Sequence, residues 1–202
     1  EKLGNAPLTL LGAERLRKTA APDQPVVIAT GLPIRGWFSP ALAESDGPIG
    51  AATPARAMYL AFRSLPVLIC EEEQVPLLTA CVRAAGLIPA TLDQIRAAKI
   101  SPDALPDRRI PAAVIQGFPA DDRKAEEETK KLLKMRPSAL ISIERLGANA
   151  RGAYHYARGQ KVRREAMAKV DHLFAEARSK GFLTVCIGDG GNELGMGLIK
   201  DA

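Results

Sequence analysis

Five short apolar runs constrain this chain more than any other feature: Val26 to Thr30, Val67 to Cys70, Ala112 to Gln116, Ala139 to Ile143 and Leu183 to Ile187. None alternates polar with apolar residues, as a strand with one face in water would. Each is therefore expected to be covered on both faces. Helical stretches separate them: Ala51 to Phe62, broken or begun at Pro54; Gln74 to Ala85, ended by Gly86; Asp121 to Met135; and Arg163 to Ser179, ended by Gly181. Leu8 to Ala20 adds a helix ahead of the first run. Strands and helices in this alternation imply a mostly parallel sheet with right-handed crossovers and helices on both faces, a Rossmann-like three-layer α/β sandwich. Ligands on such sheets bind at the carboxyl ends of the strands, so the residues just after each run are the ones to search for chemistry.

The 202 residues fit one domain, expected to span 1–202 and to be incomplete at its C-terminal end, where the segment after Gly195 stops abruptly. Two irregular stretches stand out. Pro33 to Pro48, with Trp37 and Phe38 near its middle, has the length of a lid or binding loop, and Ile100 to Pro111 reads as a surface connection. The net charge of +5 comes from cations interspersed with acids, as in Asp121-Asp122-Arg123-Lys124, and aromatics are only 4%. That pattern lacks the basic face and stacking platforms of a nucleic-acid binder, and suits a small anionic substrate instead. Cys70, Cys81 and Cys186 form no Cys-x-x-Cys and no metal-ligand spacing, so a reducing compartment is expected: the cytoplasm, or the mitochondrial matrix in a eukaryote. No run approaches the roughly 18 apolar residues of a membrane span, so no membrane association is expected.

The strand ends carry the chemistry. After the fifth run comes Gly188-Asp189-Gly190-Gly191-Asn192-Glu193-Leu194-Gly195-Met196-Gly197. The glycines allow close backbone approach to a ligand, and Asp189 and Glu193, four apart, can meet on one side of the turn to hold a cation or move a proton. A tight turn with a capping acid is the plainer reading. The loop is not a dinucleotide fingerprint, since Glu193 stands where a third glycine belongs, and no Gly-Lys-Ser/Thr follows; no nucleotide cofactor is expected. After the fourth run, Glu144-Arg145 needs either a ligand or an internal ion pair. Ahead of the second helix, Asp46 in Ser45-Asp46-Gly47-Pro48-Ile49-Gly50 reads as a cap or a site acid. His155 lies in a loop that can cover the strand ends, whereas His172 sits within a helical pattern. No Ser/His/Asp set and no Gly-x-Ser-x-Gly occurs.

Three motifs in order, Ser45 to Ala51, Pro137 to Arg145 and Ile187 to Gly197, with Thr30-Gly31 and Gly152-x-Tyr154, resemble the C-terminal domain of D-glutamate cyclases from about residue 12 onward. The resemblance implies a hydro-lyase forming 5-oxo-D-proline from D-glutamate, an α/β fold with an acid-lined cavity, and a divalent metal. Ser45 departs mildly from the family's Thr, and the family domain continues past Gly197 with another strand. On this reading Asp46, Glu144, Asp189 and Glu193 are both the catalytic acids and the ligands of Mg²⁺, Mn²⁺ or Ca²⁺. Arg145, Gly190, Gly191, Asn192 and His155 would bind the substrate. Two readings of the same acids stay open: metal-dependent hydrolysis of a phosphate ester, and a module that holds an anionic metabolite without turnover.

Overall fold

The computed structural model describes residues 7–35, 38–99 and 110–198. Trp37, most of the Ile100 to Pro111 connection and residues 199–202 lie outside the described residues.

Five main strands form where the apolar runs lie: β1 (Pro25–Ala29), β2 (Leu65–Cys70), β4 (Ala112–Gly117), β5 (Ala139–Ile143) and β8 (Thr184–Ile187). A two-residue strand, β3 (Ile88–Pro89), joins the sheet beside β4. The sheet order is β3-β4-β2-β1-β5-β8, and every pairing is parallel. The chain leaves β1 in one direction to build β2 and β4, then returns to build β5 and β8 on the other side. The boundary between β1 and β5 is therefore the topological switch point, where crevices open at the carboxyl ends of strands.

The missing alternation in the apolar runs has a direct cause. In β1, Val26 and Ile28 face one layer while Val27 and Ala29 face the other, and all four are fully buried. The first layer holds α2 (Asp46–Phe62) and α3 (Val75–Ala84), with α1 (Leu8–Thr19) contributing Leu16. The second holds α5 (Asp122–Lys134) and α6 (Val170–Ser179), with α4 (Leu92–Lys99) contributing Leu92 and Ile95. At about 1.5–3 kcal/mol per buried Val, Leu or Ile side chain, these two interfaces are the main source of stability.

Three sequence expectations need correction. Helix α2 starts five residues earlier than expected and runs through Pro54, forgoing only the bond to the Gly50 carbonyl. Gly50 lacks the Cβ that would stand 3.0 Å from Ile143 Cγ2, so the helix lies close on β5. Helix α6 starts at Val170 rather than Arg163, because residues 164–166 form one 3₁₀ turn and Met167 is extended. The stretch between the fourth and fifth expected strands also contains a small antiparallel hairpin, β6 (Tyr154–His155) with β7 (Lys161–Val162). Its Tyr154 and Val162 join Leu32, Leu146 and Met167 in a third apolar cluster, which sits over the carboxyl ends of β1 and β5. Tyr156 secures this cap by donating to the Pro33 carbonyl at 2.7 Å.

Candidate active site

The switch point collects carboxylates. Glu144 follows β5, Asp189 and Glu193 follow β8, and each offers an oxygen within 4.8 Å of the others'. Asp46 opens α2 nearby but lies outside this trio; its Oδ1 accepts the Gly47 N–H at 2.8 Å. A fifth acid, Glu44, joins them without any motif to announce it. It returns antiparallel to the chain leaving β1: Pro33 and Ala43 form a bridge, Ile34 donates to the Leu42 carbonyl, and Glu44 donates its N–H to the Leu32 carbonyl at 3.1 Å. That short ladder fixes residue 44 at the mouth of β1. Among the described residues, none of the five acids forms an ion pair.

Their mutual repulsion shows in proton affinity. Glu144 is pushed up to about 7, first by partial burial and then by Asp189, Glu193, Asp46 and Glu44. Glu44 is raised as well, by burial first and then by Asp46, Asp189 and Glu193. Glu144 also holds a left-handed backbone, φ 47°, uncommon for a residue with a Cβ. Strain of this kind collects at functional sites and costs on the order of 1–3 kcal/mol.

The glycine loop has a different purpose from the one its sequence suggests. Glu193 is 8% exposed, and its Oε1 accepts the N–H groups of Gly190 at 2.7 Å and Asp189 at 3.1 Å. A Cβ at Gly188 would stand 2.7 Å from Glu193 Cγ and Cδ; one at Gly190 would stand 2.4 Å from Asn192 Oδ1. The glycines therefore make room for a carboxylate of the same loop, and the Asp189 and Gly190 N–H groups are already engaged by it. The other oxygen, Glu193 Oε2, is buried with no hydrogen-bond partner. A buried carboxylate oxygen without a donor is costly unless a cation or proton satisfies it. The trio's hard oxygen donors fit Mg²⁺, Mn²⁺ or Ca²⁺.

Arg145, expected to hold a substrate carboxylate, is turned away from this centre. It is completely buried and pairs with Glu71 at 2.6 Å. It also donates to the carbonyls of Gly31 and Thr30 and, at 2.6 Å, of Ala168. The guanidinium thereby ties together the ends of β1 and β2 and the segment before α6, while its own carbonyl accepts the Leu194 N–H at 2.8 Å. Asn192 is likewise engaged, donating to the His155 carbonyl at 2.8 Å. The His155 ring instead lies 3.5 Å from the Asn149 amide. Gly191, at φ 81°, supplies the left-handed step that turns the loop back. On the far side of the Arg145–Glu71 pair, a separate cleft of about 370 Å³ opens at the ends of β2 and β4, with Glu72, Glu73, Lys124 and Arg163 on its walls.

Residues 2–202 match the family model described as D-glutamate cyclase-like, C-terminal. The chain belongs to the D-glutamate cyclase-like C-terminal family. Within it, a stretch of 64 residues, 31% of this chain, is 42% identical to the human protein named D-glutamate cyclase, mitochondrial, and corresponds to 10% of that protein's length. Among the described residues, no helix is long and apolar enough to cross a membrane. In this member of the D-glutamate cyclase-like family, the motifs after β1, β5 and β8 thus converge on one acidic centre at the switch point, with Arg145 beneath it as a structural tie.

Proposed function

We propose that this domain is a hydro-lyase that closes D-glutamate to 5-oxo-D-proline with loss of water, assisted by a divalent cation held by Glu144, Asp189 and Glu193. The observation that carries this reading is a trio of converging carboxylates with Glu44 and Asp46 as neighbours, none in an ion pair among the described residues and one presenting a buried oxygen with no partner. Family membership supplies the substrate class.

The chemistry defines what the residues must do. The substrate enters with an ammonium and two carboxylates. Closure forms a bond from nitrogen to the side-chain carboxyl carbon and breaks one carbon–oxygen bond. The lactam nitrogen keeps one of its three protons; the other two leave with the oxygen as water. No net proton is consumed, so the enzyme's task is to move two protons from nitrogen to oxygen. Asp46, outside the trio and at the solvent-facing start of α2, is suited to accept and return them. Glu193 is fixed by the Asp189 and Gly190 N–H groups and keeps one oxygen for the cation. When bound, the cation would lower the charge on the side-chain carboxylate and make its carbon open to attack. The cap formed by β6, β7 and Tyr156 packs over the ends of β1 and β5, while Asp46 and Asp189 stay open to solvent, as a path for substrate requires. A phosphate-ester reading draws less support, since the loop N–H groups a phosphate would use are occupied by Glu193.

The test is direct. Purified protein with D-glutamate and MgCl₂ or MnCl₂ should release 5-oxoproline, detected by chromatography. EDTA should stop it, and Asp189→Asn should abolish it while circular dichroism stays unchanged. Full turnover in Asp189→Asn would remove that residue from the chemistry, and full turnover in EDTA would remove the metal.

A further inference from the structure

We propose that Glu44 and Asp46 form the subsite for the ammonium group of the substrate, and that Glu44 makes the domain selective for an amino dicarboxylate over a plain dicarboxylate. This inference rests on the D-glutamate reading above. The five acids divide by geometry into two groups. Glu144, Asp189 and Glu193 converge within 4.8 Å, close enough for one cation, whereas Glu44 and Asp46 flank them on the β1 side. The second group lies on separately fixed backbone: residue 44 on the ladder to Leu32, residue 46 on the first turn of α2.

Neither carboxylate has its acceptor capacity filled. Glu44 makes no side-chain hydrogen bond or ion pair with the described residues, and Asp46 takes only the Gly47 N–H. A buried hydroxyl lies where Gly47, the residue after Asp46, meets Glu144. Thr30 Oγ1 is fully buried and without a partner, and it and Glu144 Cβ both approach Gly47, at 2.7 and 3.4 Å from where a Gly47 Cβ would be. Two carboxylates with acceptor positions open and no cation paired with either among the described residues form a site short of cationic donors. An ammonium brings three donors and a positive charge, and so matches it. A second carboxylate of the substrate does not, because it would meet like charge. Arg145 offers no alternative anchor for the substrate's anionic end, being committed to Glu71 and to carbonyls. The resulting recognition pattern is one carboxylate toward the cation at the trio and the ammonium toward Glu44 and Asp46.

Calorimetric titration in MnCl₂ with D-glutamate and with glutarate, which lacks the amine, tests this. Unmodified protein should bind D-glutamate more tightly than glutarate. Glu44→Gln should weaken D-glutamate by roughly 10-fold or more, the size expected for a lost charge-assisted hydrogen bond, and leave glutarate unchanged or tighter. Asp46→Asn should show the same selectivity loss, and serves if Glu44→Gln fails to fold by circular dichroism. Equal weakening of both ligands, unchanged binding of both, or a matching loss of Mn²⁺ affinity would overturn the ammonium assignment while leaving the parent reading in place. Failure of the unmodified protein to bind D-glutamate would overturn both.

Discussion

Replacing Glu144 by Gln should stabilise the metal-free protein, by an amount that grows as pH rises from 4.5 to about 7 and is constant above it. In the fold this carboxyl titrates near 7 rather than at its ordinary 4.5, through burial and four neighbouring acids. A raised acid favours the protonated form in the folded chain. Between the two values the folded state binds more protons than the unfolded one, so stability falls as pH rises through that window and is flat above it. At about 1.4 kcal/mol per pH unit, the difference bounds the penalty at roughly 3 kcal/mol; screening of a carboxylate that reaches solvent reduces this to about 1–2 kcal/mol. Gln keeps the Cβ, so the left-handed φ of 47° is unchanged and does not enter the difference.

The assay is thermal unfolding in EDTA, comparing variant with unmodified protein so that all other titrating groups cancel. At about pH 8 the variant should melt roughly 2–8 °C higher, as a gain of 1–2 kcal/mol implies for a domain of this size. At about pH 4, below both titration points, the two should melt together. MnCl₂ should reverse the order at the higher pH, because the unmodified trio binds the ion and gains stability in proportion to its occupancy. A variant that melts lower than the unmodified protein at the higher pH in EDTA, or a difference that does not change with pH, would refute the claim that burial and the neighbouring acids penalise the charged Glu144 carboxylate.

Arg145→Leu should cost about 3–5 kcal/mol by stranding buried Glu71, and Arg145→Leu with Glu71→Leu should regain much of it in urea unfolding. Gly188→Ala places a methyl 2.7 Å from the Glu193 side chain; it should weaken Mn²⁺ binding by roughly 10–100-fold in calorimetry with little change in far-ultraviolet circular dichroism. Gly31→Ala meets both a φ of 100° and contacts of 2.6 Å to Glu71 and Gln74, so it should lower stability by at least about 1–3 kcal/mol by urea unfolding.

The sheet is legible in the sequence because its central strands are buried on both faces, and burial of that kind writes itself into local composition; the fifth run, expected to be covered likewise, forms the edge strand β8 and is only partly buried, with Ile187 51% exposed. Val26 to Ala29 is apolar throughout since each of its residues meets a helix layer. Helix α4 has a local signal too, though it is short and easily lost beside the Pro-rich connection: Thr91 and Gln94 form a reciprocal capping box, with bonds of 2.8 and 3.1 Å, just ahead of Leu92. Arg145 shows in sequence only as a cation in need of a partner, and no sequence rule could name Glu71, 74 residues away, as that partner. Glu44 leaves no signal at all. It sits in a loop without periodicity, and only the return ladder to Leu32 brings it to the centre.

The glycine loop shows where pattern and chemistry part. Glycines after a strand ordinarily suggest a phosphate held by free N–H groups at a helix start. In sheets with this strand order that anion sits at the switch point, against the helix that follows β1. Here two such turns are filled from within. Asp46 takes the Gly47 N–H at the head of α2, and Glu193 takes the Asp189 and Gly190 N–H groups after β8. Filling a cradle with a tethered carboxylate reverses the sign of the site, because the second oxygen of each is left as an acceptor. With Glu44 and Glu144 added, a crevice that the fold commonly offers to anions is lined here by acids. The loop glycines thus seat a carboxylate of their own loop, and the residue that sets this arrangement is Glu193, standing where a dinucleotide fingerprint has its third glycine.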